Sequence, residues 1–83
     1  MSKEIEVQVL LFASAREVAG AARLTQALPA GATVGDLVAR LYERTPGLRE
    51  LRLRFAVNAA YSDLNAELND GDEVACIPPV GGG

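Results

Sequence analysis

Residues 33–45, TVGDLVARLYERT, set the strongest constraint on what this chain can fold into. Val34, Leu37, Val38, Leu41 and Tyr42 fall at the i, i+3, i+4, i+7, i+8 spacing of a helix with one apolar stripe. Arg40, Glu43 and Arg44 lie on the solvent side. Thr33 stands where an N-cap belongs and Asp36 three residues later, a capping box with Asp in place of Glu. Thr45-Pro46-Gly47 stops the helix. One such stripe in a chain of 83 residues must bury itself against strands supplied by its flanks.

Those flanks read as strands. Glu4–Ala13, EIEVQVLLFA, sets Ile5, Val7, Val9 and Leu11 against Glu4, Glu6, Gln8 and Leu10, so period two predicts one buried face. The other face starts polar and turns apolar at Leu10 and Phe12. Ser14–Ala21 predicts a short helix with Ser14 as N-cap, Glu17 three residues on and Gly20 at the C-terminal cap. Ala22–Leu28 predicts a second strand, paired antiparallel with the first, and Pro29–Ala32 a turn. Leu51–Asn58 returns to strand periodicity, with Leu51, Leu53, Phe55 and Val57 facing one way. A loop-rich stretch and a turn at Asn69–Asp72 lead to a last strand, Glu73–Ile77. There Val74 and Cys76 face one side, Ala75 and Ile77 the other, and Pro78-Pro79 ends the ladder. The order implies an α+β fold, a mixed sheet packed on one long helix with a right-handed crossover. This is the β-grasp arrangement: a domain over residues 1–78 and an extended, flexible tail over 79–83.

Composition removes most functional classes. Eight basic against eleven acidic residues give a net charge of −3, unsuited to phosphate backbones, so no nucleic-acid partner is expected. There is no histidine for general base chemistry near neutral pH, no metal-ligand spacing and no glycine-rich phosphate loop. The one cysteine, Cys76, alternates with Val74 and reads as a small core residue. Asp70–Glu73, DGDE, lacks the remaining ligands of a calcium loop and reads as a tight turn. Asp36 and Glu17 read as helix-terminal residues. A lone cysteine, no long apolar run and a charged start, MSKEIEV, point to a cytoplasmic protein with no membrane partner.

Chemistry is left to the last six residues, PPVGGG. Gly81, Gly82 and Gly83 carry no side chain, so the backbone there can approach another protein or a nucleotide without a Cβ in the way. Pro78 and Pro79 fix φ near −65° and aim the segment off the sheet, with Val80 as the stem. A carboxylate is a poor electrophile and needs activation, for instance as an acyl-adenylate, before a nucleophile can attack it. A frayed glycine end is the competing interpretation.

The segments VLLFASAREVAG (9–20), TVGDLVARL (33–41), FAVNAAYSD (55–63) and above all LNDGDEVACIPPVGGG (68–83) resemble the small subunits of molybdopterin synthase, ubiquitin-like sulfur carriers. The resemblance covers nearly the whole chain. It implies that a ubiquitin-activating-type adenylyltransferase uses ATP and magnesium to adenylate Gly83, with no cofactor bound permanently and no metal. A sulfur donor protein then makes a thiocarboxylate. The large subunit of molybdopterin synthase takes the tail, Pro79 to Gly83, and passes the sulfur to precursor Z (cyclic pyranopterin monophosphate) in a heterotetramer. The catalytic pocket is expected on the large subunit, so this chain is a donor subunit rather than an enzyme by itself. Gly81 stands where the family often has Ala or Thr, which raises the ordering cost of the tail by up to about 1 kcal/mol. By the same resemblance Phe12, Tyr61 and Ile77 form an apolar docking patch; from their charge alone, Arg16 and the arginines of 49–54 are expected to face acidic partner surfaces. A ubiquitin-like protein modifier and a sulfur carrier for thiamin or tRNA thiolation are the alternatives.

Overall fold

A computed structural model describes residues 3–79. Val80, Gly81, Gly82 and Gly83, the tail expected from the sequence to carry the chemistry, lie outside the described residues. Strand β1 (Glu4–Leu11), helix α1 (Ala13–Ala19), β2 (Arg23–Pro29), helix α2 (Val34–Arg44), a 3-10 helix (Pro46–Leu51), β3 (Arg54–Val57), β4 (Ala60–Tyr61) and β5 (Glu73–Ile77) follow one another. The sheet order is β2-β1-β5-β3-β4. β1 and β5 run parallel at its centre, and the other pairs are antiparallel. This mixed sheet is the expected β-grasp arrangement, with α2 as the crossover that lets β5 return beside β1.

Alternation decides which face the helix covers. Val7, Val9 and Leu11 on β1, Val74 and Cys76 on β5 and Phe55 on β3 point inward. They pack with Val34, Leu37, Val38 and Leu41 of α2, so the helical stripe meets the inner row of the strands. Tyr42 packs at the margin of that core. The predicted capping box is present: Asp36 N–H donates to Thr33 Oγ1 at 3.2 Å, and Thr33 N–H donates to Asp36 Oδ2 at 2.9 Å. Arg44, exposed as its position predicts, also reaches the outer edge of β2. Its guanidinium donates to the Thr25 carbonyl and to Gln26 Oε1, covering part of a free strand edge.

Four local expectations change. β1 stops at Leu11, and Phe12, not Ser14, is the N-cap of α1, with no side-chain capping bond. The turn is made by backbone: Ala13 takes φ 49°, and the N–H groups of Ala15 and Arg16 both donate to the Phe12 carbonyl. Gly20 closes α1 in the left-handed region at φ 74°, as predicted. Leu51 belongs to the 3-10 helix, not a strand. That helix starts on Pro46, ends at left-handed Arg52 and inserts fully buried Leu48 into the core. Finally, 58–61 forms a tight hairpin. Asn58 and Ala59 both have positive φ, 49° and 72°, the type I′ signature that matches strand twist.

The hairpin is pinned by Asn58, whose Nδ2 donates to Asp72 Oδ1 at 3.0 Å and whose Oδ1 accepts from Glu73 N–H at 3.0 Å. The DGDE segment is a turn, as expected. Gly71 sits at φ 86°, Asp70 accepts from Glu6 N–H, and Asp72 accepts from Asn69 N–H.

Alanine at a positive-φ turn position is strained, so Ala59→Gly is expected to stabilise the fold by about 0.5–1 kcal/mol. Thr33→Ala, which removes the cap, is expected to cost about 1 kcal/mol. Urea denaturation followed by far-UV circular dichroism reads both, and a destabilising Ala59→Gly contradicts the turn assignment.

Candidate functional site

The tail leaves the sheet from its middle. β5 is flanked by β1 up to Cys76 and by β3 up to its last residue, Ile77. Cys76 registers with Leu11 and Phe55, and Ile77 with Arg54. Just beyond β1, Phe12 N–H donates to the Cys76 carbonyl at 3.3 Å. Pro78 is half-buried and Pro79 exposed, so the chain emerges into solvent within two residues of a rigid central strand. Neither proline can extend the ladder, and both restrict the direction of exit.

The face of the sheet away from α2 shows what surrounds that exit. Leu10, Ala75, Ala56 and Tyr61 follow one another across β1, β5, β3 and β4. Ala75 and Ala56 are small and adjacent, so the larger side chains around them enclose a concavity of about 320 Å³. Phe12, Tyr61 and Ile77, singled out from the sequence, all line it. Phe12 is 47% and Tyr61 62% exposed, although both are large and apolar in body. The Arg54 guanidinium lies 4.3 Å from the Tyr61 ring centroid, a cation–π contact that holds the ring at the rim. Sequence reasoning placed Tyr61 only after a strand. The I′ turn, invisible because Ala59 is not a usual turn residue, is what swings it onto this face.

No histidine occurs anywhere, and the described residues hold no cluster of three or more metal-ligating side chains. Cys76 lies with no exposure among Val9, Leu11 and other core side chains, and burial pushes its thiol from 9.0 up to about 12. It therefore holds its proton at neutral pH and cannot serve as a thiolate nucleophile in the folded state. No helix among the described residues is long and apolar enough to cross a membrane. What the described residues offer is a shape: a firmly held strand end, an exit for the tail, and an uncovered apolar face beside it.

This thiol gives a pH signature. It ionises near 9.0 when unfolded and near 12 when folded, so the folded state binds the proton more tightly. Its contribution to stability is complete below pH 9.0 and is lost as pH rises from 9.0 towards 12. Cys76→Ala is expected to flatten that alkaline decline. Iodoacetamide is expected to label Cys76 in urea and to leave the native chain unlabelled over the same period, by intact mass. Fast native labelling overturns the burial argument.

The model of the ThiS family matches residues 9–83. The molybdopterin synthase sulfur carrier subunit of Arabidopsis thaliana is 38% identical, over 99% of this chain and 88% of its own length. Two solved structures extend the likeness to the fold. SAMP1, the small archaeal modifier protein 1 of Haloferax volcanii, superposes with a TM-score of 0.86 at 30% identity, over 94% of this chain and 99% of its own. A chain of the complex of subunits 1 and 2 of the molybdopterin-converting factor from Helicobacter pylori does so with a TM-score of 0.67 at 32% identity, over 95% and 100%. The chain belongs to the ThiS family, together with the sulfur carrier subunits of molybdopterin synthase.

Proposed function

We propose that this chain is the sulfur-donating subunit of a molybdopterin synthase and carries the sulfur as a thiocarboxylate on Gly83. The observation that carries the reading is the site itself: a tail root fixed at the centre of the sheet, beside a concave apolar face that no element among the described residues covers. A free-standing enzyme needs a pocket with reactive groups. A carrier needs a presented end and a docking face, and the tail root at Pro78-Pro79 beside a concave apolar face supports that choice. The named relatives support the same choice.

In this reading an adenylyltransferase of the ubiquitin-activating type binds ATP and magnesium, and a carboxylate oxygen of Gly83 attacks the α-phosphorus, releasing pyrophosphate. The persulfide of a donor protein then attacks the acyl carbon and expels AMP, and a second thiol of the donor cleaves the resulting acyl disulfide, forming a donor disulfide and leaving a thiocarboxylate; free sulfide gives the thiocarboxylate directly. With no side chain on Gly82 or Gly83, nothing crowds that carbon. The large subunit takes the tail, with Pro79, Val80 and Gly81 as its stem, and supplies the pocket in which sulfur passes to precursor Z. Phe12, Tyr61 and Ile77 are the residues that meet the large subunit, and buried aromatic anchors are the usual centres of such contacts. The two subunits form a heterotetramer, and the reaction takes place in the cytoplasm.

The likeness to SAMP1 favours one second reading, a protein modifier joined through Gly83 to lysines. Incubation with the activating enzyme, ATP and a sulfide source separates the two. The free chain is expected to gain the mass difference between sulfur and oxygen, and covalent adducts to other proteins support the modifier instead. Deletion of Gly82 and Gly83 is expected to abolish molybdopterin formation by the reconstituted synthase, and retained activity overturns the carrier reading. Phe12→Asp is expected to weaken binding to the large subunit by about tenfold or more while the chain stays folded.

A further inference from the structure

The described residues hold a second concavity, larger than the one beside the tail root. It lies between α2 and the β3–β4 hairpin, has a volume of about 460 Å³, and is lined by Val38, Tyr42, Leu53, Tyr61 and Leu64 among others. The carrier chemistry proposed above makes no use of it. Its far wall is the 62–66 loop, fastened to the start of α2. Val34 N–H donates to the Ala66 carbonyl and Gly35 N–H to the Leu64 carbonyl, both at 2.9 Å. A Cβ on Gly35 would lie 3.2 Å from that Leu64 carbonyl, so glycine there lets the loop come close. Leu64 is held in this way at the mouth of the cleft, 53% exposed.

Each tyrosine of the cleft carries a guanidinium. Arg54 lies 4.3 Å from the Tyr61 ring centroid and Arg49 5.4 Å from that of Tyr42. A guanidinium over a ring keeps in-plane N–H donors that suit a carboxylate. Residues 49–54 hold three arginines and one glutamate in a chain of net charge −3, so this corner is positive on a negative molecule. The one carboxylate lining the cleft, Asp63, accepts from Asn65 N–H at 2.9 Å and closes the local turn. The position is also telling. Tyr61 lines both concavities, and Arg54 registers with Ile77, the last strand residue before the prolines. A protein that covers the tail root therefore reaches Arg54.

We propose that this cleft is a second docking site for the large subunit, taking an acidic segment with an apolar side chain, and that Arg49 and Arg54 bind its carboxylate. The inference rests on the carrier reading above. The apolar side chain enters between Val38, Leu53 and Leu64, and the two arginines select its charge and speed the encounter.

The test measures association and dissociation of the intact chain with the purified large subunit, at about 0.05 M and about 0.5 M salt. The variants are Arg49→Glu with Arg54→Glu, Arg54→Glu alone, Leu64→Asp, and Arg40→Glu as a remote reversal on the flank of α2 that faces the Leu28–Ala32 turn. The double reversal is expected to slow association by about tenfold or more at low salt, with most of the difference gone at high salt. Arg40→Glu, a single reversal, is expected to change it less than Arg54→Glu alone, and Leu64→Asp is expected to hasten dissociation. Arg54→Gln, which keeps the uncharged stem near the ring, replaces the reversal where thermal melts show loss of folding. Equal binding by wild type and the double reversal overturns the proposal and leaves the carrier reading intact. So does a loss that salt does not diminish, or one that Arg40→Glu reproduces. No binding by the wild-type chain overturns the carrier reading itself.

Discussion

A single helix can cover only one face of a five-stranded sheet, and the rest of this structure follows from that. The inner rows of β1, β3 and β5 meet the stripe of α2, and the resulting cluster takes nearly all the buried apolar side chains. The opposite face has no second helix. A sheet in this position is normally polar on its open side, with inside and outside alternating along each strand. Here the alternation holds at Glu4, Glu6 and Gln8 and then fails at Leu10 and Phe12. The failure sits at the end of the sheet where the tail departs. Exposed Phe12 and Tyr61 around paired alanines make a hollow that no other described element fills.

The same division was largely legible in the sequence. The heptad-like stripe of 33–45, its cap and the inner row of β1 each obey a simple period, and the structure keeps all three. The two positions of Phe12 and Ile77 on one face follow from parity along their strands. What escaped was set by backbone rather than side-chain pattern. Ser14 offers a capping hydroxyl, yet the chain turns one residue earlier at Ala13, because Phe12 is held by its bond to the Cys76 carbonyl. Leu51 and Leu53 fit a strand period, but Pro46 starts a 3-10 helix that carries Leu48 into the core first. At 58–59 the I′ turn rests on Asn58 and an alanine, and tertiary bonds from Asn58 to β5 supply what the local sequence lacks. For the site, the face was legible and its depth was not: neither spacing nor composition reveals that Ala56 lies beside Ala75.

Placing the tail on β5 has a mechanical consequence. A segment leaving an edge strand can peel away with its strand under load. β5 is bonded on both sides, and the Phe12–Cys76 contact closes it near the exit. In the function proposed above, a partner that draws the tail into its own channel would pull on a strand bonded on both sides.

The inert thiol fits this division of labour. Chemistry on an acyl carbon next to a reactive cysteine of the same chain risks intramolecular capture of the activated end as a thioester. Cys76 is one residue from the end of β5 and so among the residues nearest the tail, yet its side chain points into the core and keeps its proton. Alternation along the strand thus turns adjacent residues to opposite faces: Cys76 inward as packing, Ile77 outward beside the concavity proposed above as a docking face. A shift of one residue in the register of β5 would exchange them, exposing the thiol beside the tail and burying the docking side chain. The parallel pairing with β1 and the antiparallel pairing with β3 fix the register from both sides, which makes the central position of β5 a chemical safeguard as well as a structural one.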